Sequence, residues 1–372
     1  MRMEKKLRVL IIRNAYQQDA GGAEQYALNL AISLRNNGYQ PILVTKVRNI
    51  LNKASDENIQ TIKGFWYDKQ GWSRAYYLRY PLTVLWYLYI IIMYRINIVH
   101  PQSRDDFIFA THAAKLLNKK IVWTDHADLK HVLDNINHFN PRIRKWVINA
   151  STYVNTIICV SKSEQNEIIK VAPDLPKPIV IHNGVFVPKD INPVSKGNKM
   201  VIGTNSRLVE DKGILELIIA FSRLKYDDLE LWLLGSVSGN KKKYEKIIKK
   251  IGINKRVKII DYVSRPNNYV ASMDIFVHPS YHEGLSLAII EAAMLAKPII
   301  ATKVGGTPEI INNHCGILIE PRDPDTIQTK LELLIANGVL ATRLGNAAQK
   351  KALKEFNFDN IIREKIIPIY GE

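Results

Sequence analysis

Two glutamates, Glu283 and Glu291, stand with seven residues between them in the stretch HPSYHEGLSLAIIEAAMLAKPIIATKVGGTPEII, which runs from His278 to Ile311. The pattern of apolar and small residues predicts a helix over 285–296. Glu283 then lies just ahead of that helix and Glu291 inside it, so both carboxylates can address one ligand from different depths of a crevice. The first helical turn, Leu285, Ser286 and Leu287 with Gly284 before it, would offer backbone N–H groups and a positive dipole end to an anion such as phosphate. The same spacing also suits a solvated helix face, with Glu283 merely favouring the helix N-terminus. Past Pro298 the run Ile299 to Thr302 reads as a strand, and Gly305-Gly306 as a second loop.

Upstream, the segment TNSRLVEDKG places Arg207 and Lys212 on a loop after a strand and before a helix opened by Gly213. Fixed cations in such a place stabilise negative charge that grows on a leaving group. They could equally be two ordinary loop charges. Near the N-terminus, Gly21-Gly22-Ala23-Glu24 follows a strand and opens a helix, so its amides could approach a phosphate or sugar closely. His126 closes Trp123-Thr124-Asp125-His126 at the end of another strand, a place where a lone histidine is more often structural. Asp323-Pro324-Asp325 resembles an Asp-x-Asp metal motif, but Asp before Pro at a helix start is the ordinary N-cap and N1 pair. It is read as a cap, and no metal site is expected.

These residues need elements to hold them. Strand and helix patterns alternate along the chain, which predicts parallel sheets covered on both faces. A first alternation runs from the strand at 7–12 to the strand at 179–182. A second begins at 200–204 and ends with helices near 325–336 and 339–353. The stretch 187–199, rich in Pro, Asn, Gly and Lys, reads as a linker. The expectation is an α/β protein of two doubly wound Rossmann-like domains, 1–190 and 197–355, with a tail, 356–372, returning to the first. The candidate residues fall on loops at strand ends, where open α/β sheets bind ligands.

With Glu-Gly-Leu, Glu-Ala-Ala-Met, Lys-Pro before a strand and Gly-Gly-x-Pro-Glu in order, the stretch 278–311 resembles the donor motif of the retaining nucleotide-sugar glycosyltransferases of GT-B architecture, specifically glycosyltransferase family four. Ala296 stands where the family often has Gly, Asn205-Ser206 where a small Gly is usual before Arg207, and Phe186 where Asp often follows Asn183-Gly184-Val185. The resemblance implies two domains facing across a cleft. It assigns Arg207 and Lys212 to the donor diphosphate, Glu291 to the donor ribose, Glu283 to the donor sugar and His126 to the transferred sugar. Gly21 and Gly22 would line the cleft between acceptor and donor. It implies no cofactor and no metal; the nucleotide sugar, expected to be UDP-linked, is a substrate. A GT-B-like sugar nucleotide epimerase, a phosphorylase, or a catalytically silent sugar-binding protein are the alternatives on the same fold.

Composition bounds the setting. A chain of 372 residues with 47% hydrophobic and 23% charged content can bury two cores. Its two cysteines, Cys159 and Cys315, lie in apolar runs and indicate a reducing cytoplasm rather than a disulfide framework. The formal charge of +17 calls for an anionic partner. No zinc spacing or RNA-recognition signature is present, so no nucleic-acid partner is expected and membrane ranks above it. The segment 71–97, dense in Tyr and Trp with Arg74, Arg79 and Arg95 among them, contains an apolar run, 81–94, shorter than the ~20 residues that cross a bilayer. It suits a buried helix or a headgroup-level anchor. The expected protein is thus a cytoplasmic transferase, peripheral at an anionic membrane, acting on a glycan or lipid-linked acceptor of surface polysaccharide.

Overall fold

The structure, a computed structural model, describes residues 6–14, 21–64, 74–134, 141–235, 240–261 and 263–371. It divides into two units, Met1–Asn183 with Phe358–Glu372, and Gly184–Asn357.

The first unit alternates β1 (Arg8–Ile12), α1 (Gly22–Asn36), β2 (Gln40–Thr45), α2 (Arg48–Asp56), β3 (Gln60–Lys63), α3 (Arg74–Met93), β4 (Ile98–Pro101), α4 (Arg104–Leu116) and β5 (Lys120–Asp125). It continues through α5 (Asp128–Leu133), α6 (Pro141–Ser151), β6 (Thr156–Cys159), α7 (Lys162–Val171) and β7 (Ile179–Val180). The strands form one sheet in the order β3-β2-β1-β4-β5-β6-β7, with parallel pairing. Runs such as Val9 to Ile12 and Ile42 to Val44 are apolar throughout because both faces of a parallel sheet are covered.

The second unit repeats the design with β8 (Met200–Asn205), α8 (Ile214–Ser222), β9 (Leu229–Leu234), α9 (Lys241–Ile251), β10 (Val257–Ile260), α10 (Pro266–Ser272), β11 (Ile275–His278) and α11 (Leu287–Met294). Then follow β12 (Ile299–Thr302), α12 (Thr307–Ile310), β13 (Ile317–Ile319), α13 (Pro324–Ala336) and α14 (Gly338–Glu355). Its sheet order is β10-β9-β8-β11-β12-β13. Both sheets reverse direction of growth beside their first strand, between β1 and β4 and between β8 and β11, the switch points where such sheets hold ligands. The chain ends with α15 (Phe358–Ile361), a π-turn (Ile362–Ile366) and α16 (Ile367–Gly371) inside the first unit. There the Phe358 ring meets Tyr26 and the Tyr370 hydroxyl meets His100 Nδ1 at 2.5 Å.

Three boundaries differ from the sequence reading. The first unit ends at Asn183 rather than near 190, because the supposed linker is tied to the second unit. Asn192 N–H donates to Asn268 Oδ1 at 3.1 Å and Ser272 Oγ to the Val194 carbonyl at 2.8 Å. The tail correspondingly starts at Phe358, since Val185 N–H donates to the Phe356 carbonyl at 3.0 Å and keeps 356–357 with the second unit. The third difference is α11, which opens at Leu287 instead of Leu285, because Ser286 caps it by accepting from Ile289 N–H. Leu285 and Ser286 therefore precede the first turn that was expected to contain them.

Candidate functional site

In the second unit, three loops leave the carboxyl ends of β8, β11 and β12 and press against one another. The β8 loop folds through a 3₁₀ turn, Glu210–Lys212, into Gly213, whose φ of +64° is left-handed. A Cβ there would lie 2.0 Å from the Pro279 carbonyl oxygen of the β11 loop, so only glycine allows the approach. Tyr281 N–H seals the pair by donating to the Asp211 carbonyl at 2.7 Å. On the other side Gly305, at φ +50°, brings the β12 loop so close that a Cβ would sit 1.6 Å from the Glu283 carbonyl oxygen. Gly306 N–H donates to the Gly284 carbonyl at 2.9 Å.

This packing sets the side chains. Lys212 Nζ donates to Glu283 Oε1 at 2.7 Å and lies 3.3 Å from Ser280 Oγ. His278 Nε2, at the end of β11, meets the same Glu283 oxygen at 2.7 Å and lies 3.2 Å from Ser286 Oγ. Burial alone would raise the Glu283 carboxyl. The hydrogen bond and charge of His278, then those of Lys212, outweigh it and hold the group at about 2. Glu283 is therefore an ionised acceptor across the neutral range. Its Oε1 serves both partners, which leaves Oε2 to accept from a ligand hydroxyl. Glu291 lies deeper on α11, where Asn205 Nδ2 reaches its Oε2 at 3.4 Å. Arg207 is partly exposed on the β8 loop and makes no ion pair among the described residues, while its neighbour Leu208 is fully buried and anchors the loop. A cation without a carboxylate partner is one available to an anion.

Lys212 and Glu283, singled out separately in the sequence, are in contact. Asn205, His278 and Ser280 were not singled out for this site. For His278 a signal existed, a polar residue ending an apolar strand just before Glu-Gly; for Asn205 there was none, because its role depends on β8 lying beside β11.

The first unit holds His126 and the Gly21-Gly22 turn. Gly21 is the N-cap of α1 with φ −98°, and its N–H already donates to Glu24 Oε2 at 2.9 Å. The Glu24 carboxylate is in turn paired with buried Arg13 at 2.9 Å. Neither Gly21 nor Gly22 has positive φ, and the Gly21 N–H is engaged within its own turn by Glu24. His126 packs edge-on to Tyr26, with ring centroids 4.9 Å apart, and its Nδ1 faces Asn183 Nδ2 at 3.5 Å. Its Nε2 is buried and has no hydrogen-bond partner among the described residues. Burial first, then the charges of Arg13 and His100, push its pKa well below the usual value, so the ring is neutral. Behind it, Asp125 accepts from Leu129 N–H at 3.0 Å and Glu164 from Val160 N–H at 3.0 Å. Burial and the neighbouring Asp125 raise the Glu164 carboxyl well above its usual range, while the Val160 N–H it accepts from opposes that shift.

Among the described residues no group of three or more His, Cys, Asp or Glu side chains is arranged to hold a metal ion. Asp323 caps α13, accepting from Thr326 N–H at 2.9 Å, and Asp325 pairs with Arg223.

The family model described as Glycosyltransferase Family 4 matches residues 20–187, and that of Glycosyl transferases group 1 matches residues 188–351. A human component of phosphatidylinositol N-acetylglucosaminyltransferase is 28% identical over 345 residues, covering 84% of this chain and 65% of that protein. The capsular polysaccharide biosynthesis glycosyltransferase CapM of Staphylococcus aureus is 32% identical over 177 residues, 47% of this chain and 46% of its own length. The chain thus spans less than two thirds of either relative. A glycosyltransferase from Rickettsia africae ESF-5 superposes with a TM-score of 0.82 at 20% identity over 99% of both chains. Anabaena Alr3699/HepE, solved in complex with UDP and glucose, gives 0.82 at 19% identity over 98% of this chain and 100% of its own. At such identity these superpositions establish the fold.

Proposed function

The chain belongs to glycosyltransferase family 4, of GT-B architecture, and from that premise we propose that it is a retaining, metal-independent hexosyltransferase. It would move a sugar from a UDP-sugar to a glycan or lipid-linked acceptor in surface polysaccharide biosynthesis, at the cytoplasmic side of a membrane. The observation that carries the reading is the cluster at the β8/β11 switch point: an ionised Glu283 fixed by Lys212 and His278, Glu291 further along α11, and Arg207, a cation with no ion pair among the described residues. A departing nucleoside diphosphate gathers negative charge, and Arg207, Lys212 and the N-terminus of α11 can meet it without a divalent ion. Glu283 Oε2 and Glu291 would accept from hydroxyls of the donor sugar and ribose. A carboxylate held at about 2 and engaged by two partners is a poor nucleophile, which favours attack on the leaving-group face over a glycosyl-enzyme intermediate. The UDP and glucose seen with Alr3699/HepE, and the N-acetylglucosaminyl and capsular activities named for the relatives, support a UDP-hexose donor.

The test is thermal stabilisation by a panel of UDP-, GDP- and ADP-sugars, followed by transfer assays with the stabilising donor. A native-state ligand at a hundred times its Kd stabilises by about 2.7 kcal/mol, and UDP-sugars should give that response. Stabilisation by GDP-sugars alone would reassign the nucleotide, and none by any donor would overturn the reading. Turnover of the sugar nucleotide only when acceptor is present separates transfer from epimerisation.

A further inference from the structure

The helix α3 is apolar along most of its length, yet it is only half covered. Val84, Tyr87, Ile90 and Ile91 are buried in the first unit's core, and Tyr87 hydroxyl donates to Asp106 Oδ1 of α4 at 2.7 Å. On the opposite side Leu82, Leu85, Tyr89, Ile92 and Met93 are each between 57% and 59% exposed. At 3.6 residues per turn these five fall within an arc of about 100°, a continuous stripe along three turns. A helix that is hydrophobic all round is ordinarily surrounded by apolar neighbours, and a contiguous exposed stripe of this kind marks an interaction face. The described helices include none long and apolar enough to cross a membrane.

Charge indicates what covers the stripe. From Arg74 through Arg95 the sequence has three arginines and no carboxylate, Arg104 being paired with Asp105, and between Asp106 and Asp125 it adds Lys115, Lys119 and Lys120. Arg95 follows α3 directly, is exposed, and makes no ion pair among the described residues. α4 packs on α3 through the Tyr80 hydroxyl and His112 Nδ1, 2.7 Å apart, and carries Lys115 and the 68% exposed Leu116 at its end. Leucine, isoleucine and tyrosine in a stripe with cations at its ends match a bilayer interface, where acyl chains take the apolar face, tyrosine sits at headgroup level and basic groups meet lipid phosphate. A protein partner would have to supply an apolar groove and acidic rim together; an anionic bilayer supplies both everywhere.

We propose that the outward face of α3 docks the protein flat on an anionic phospholipid surface, with Leu82, Leu85, Tyr89, Ile92 and Met93 inserted and Arg95 against phosphate. The inference goes beyond the transferase reading, because docking is measured without donor or acceptor. The full chain would be co-sedimented with vesicles of phosphatidylcholine alone or with one third phosphatidylglycerol, at low and high salt. Binding is expected to the anionic vesicles at low salt and to fall with salt. The pair Leu85→Asp/Ile92→Asp should weaken it at least about tenfold, and Arg95→Glu about fivefold, with donor-induced stabilisation unchanged in both variants. If the aspartate pair misfolds, Leu85→Ser/Ile92→Ser makes the same test more gently. Wild-type protein left in the supernatant with anionic vesicles at low salt overturns the proposal, as does wild-type-like binding by the folded variants. A vesicle-free dimer, seen by sedimentation velocity and broken by the same substitutions, would give the face to a second copy and overturn it too.

Discussion

Glu283 shows how a buried carboxylate is kept charged: the penalty of removing it from water is exceeded by a cation and an imidazole, each 2.7 Å from one oxygen. Its folded pKa of about 2 lies below the ordinary 4.5, so its ionisation stabilises the fold above pH 4.5 and that contribution is lost as pH falls toward 2. The melting-temperature gap between wild type and Glu283→Gln should therefore be flat above about pH 5 and narrow by on the order of 3 kcal/mol equivalent below it. A gap unchanged from pH 5 to 3 would show that the carboxylate is not held low. For the cations, Arg207→Ala and Lys212→Ala should each reduce kcat by about a hundredfold or more, as other charge-stabilising groups do. Arg207→Ala should leave the melting temperature near wild type, since that side chain has no ion pair to lose among the described residues. Near-normal turnover in both variants removes the diphosphate assignment. The residue types at 207, 212, 283 and 291 were legible in the sequence through their order along it. That Lys212 and His278 share one oxygen was not, because they lie far apart in the chain and only sheet order brings β8 beside β11.

At the scale of elements, the loops after β8, β11 and β12 owe their shape to two glycines, Gly213 and Gly305, that no other residue could replace without moving a backbone. Gly305→Ala would place a methyl 1.6 Å from the Glu283 carbonyl oxygen at a left-handed φ of +50°. It should lower stability by about 2 to 4 kcal/mol and depress turnover with it by pushing Glu283 aside. Gly252 is the control: its φ is +82°, but nothing lies within 4 Å of an added Cβ. Gly252→Ala should cost about 1 kcal/mol of backbone strain and leave kcat unchanged. Equal effects of the two on activity, measured beside their melting curves, would mean that the loop contact does not position Glu283. Most strands were readable because buried parallel strands are continuous apolar runs, as at 231–234 and 275–277. The edge strand β3, with sequence QTIK and partial exposure, lacks that signal and was not anticipated, nor was the preceding α2. The start of α11 was misplaced by two residues because Ser286 acts as cap through its side chain, a role that sequence periodicity does not report.

For the whole molecule, the alternation of strand and helix announced two doubly wound units, while composition announced only that something anionic must meet a chain of charge +17. Where those cations sit was visible only after folding, which separates Lys212, ion-paired to Glu283, from Arg95, exposed beside the apolar stripe of α3. The chemistry proposed for the molecule makes a joint demand. If fixed cations and a helix end carry the diphosphate charge, transfer should persist at undiminished kcat in excess chelator. If Glu283 and Glu291 bind hydroxyls instead of forming a covalent sugar, attack comes from the leaving-group face and the anomeric configuration of the donor is kept. Both are read from one reaction, run with and without EDTA and followed by proton NMR of the anomeric signal. Loss of turnover in EDTA that returns with Mg²⁺ or Mn²⁺ would transfer the charge-stabilising role from Arg207 and Lys212 to a metal. An inverted product would instead require a general base opposite the leaving group and would overturn the retaining reading.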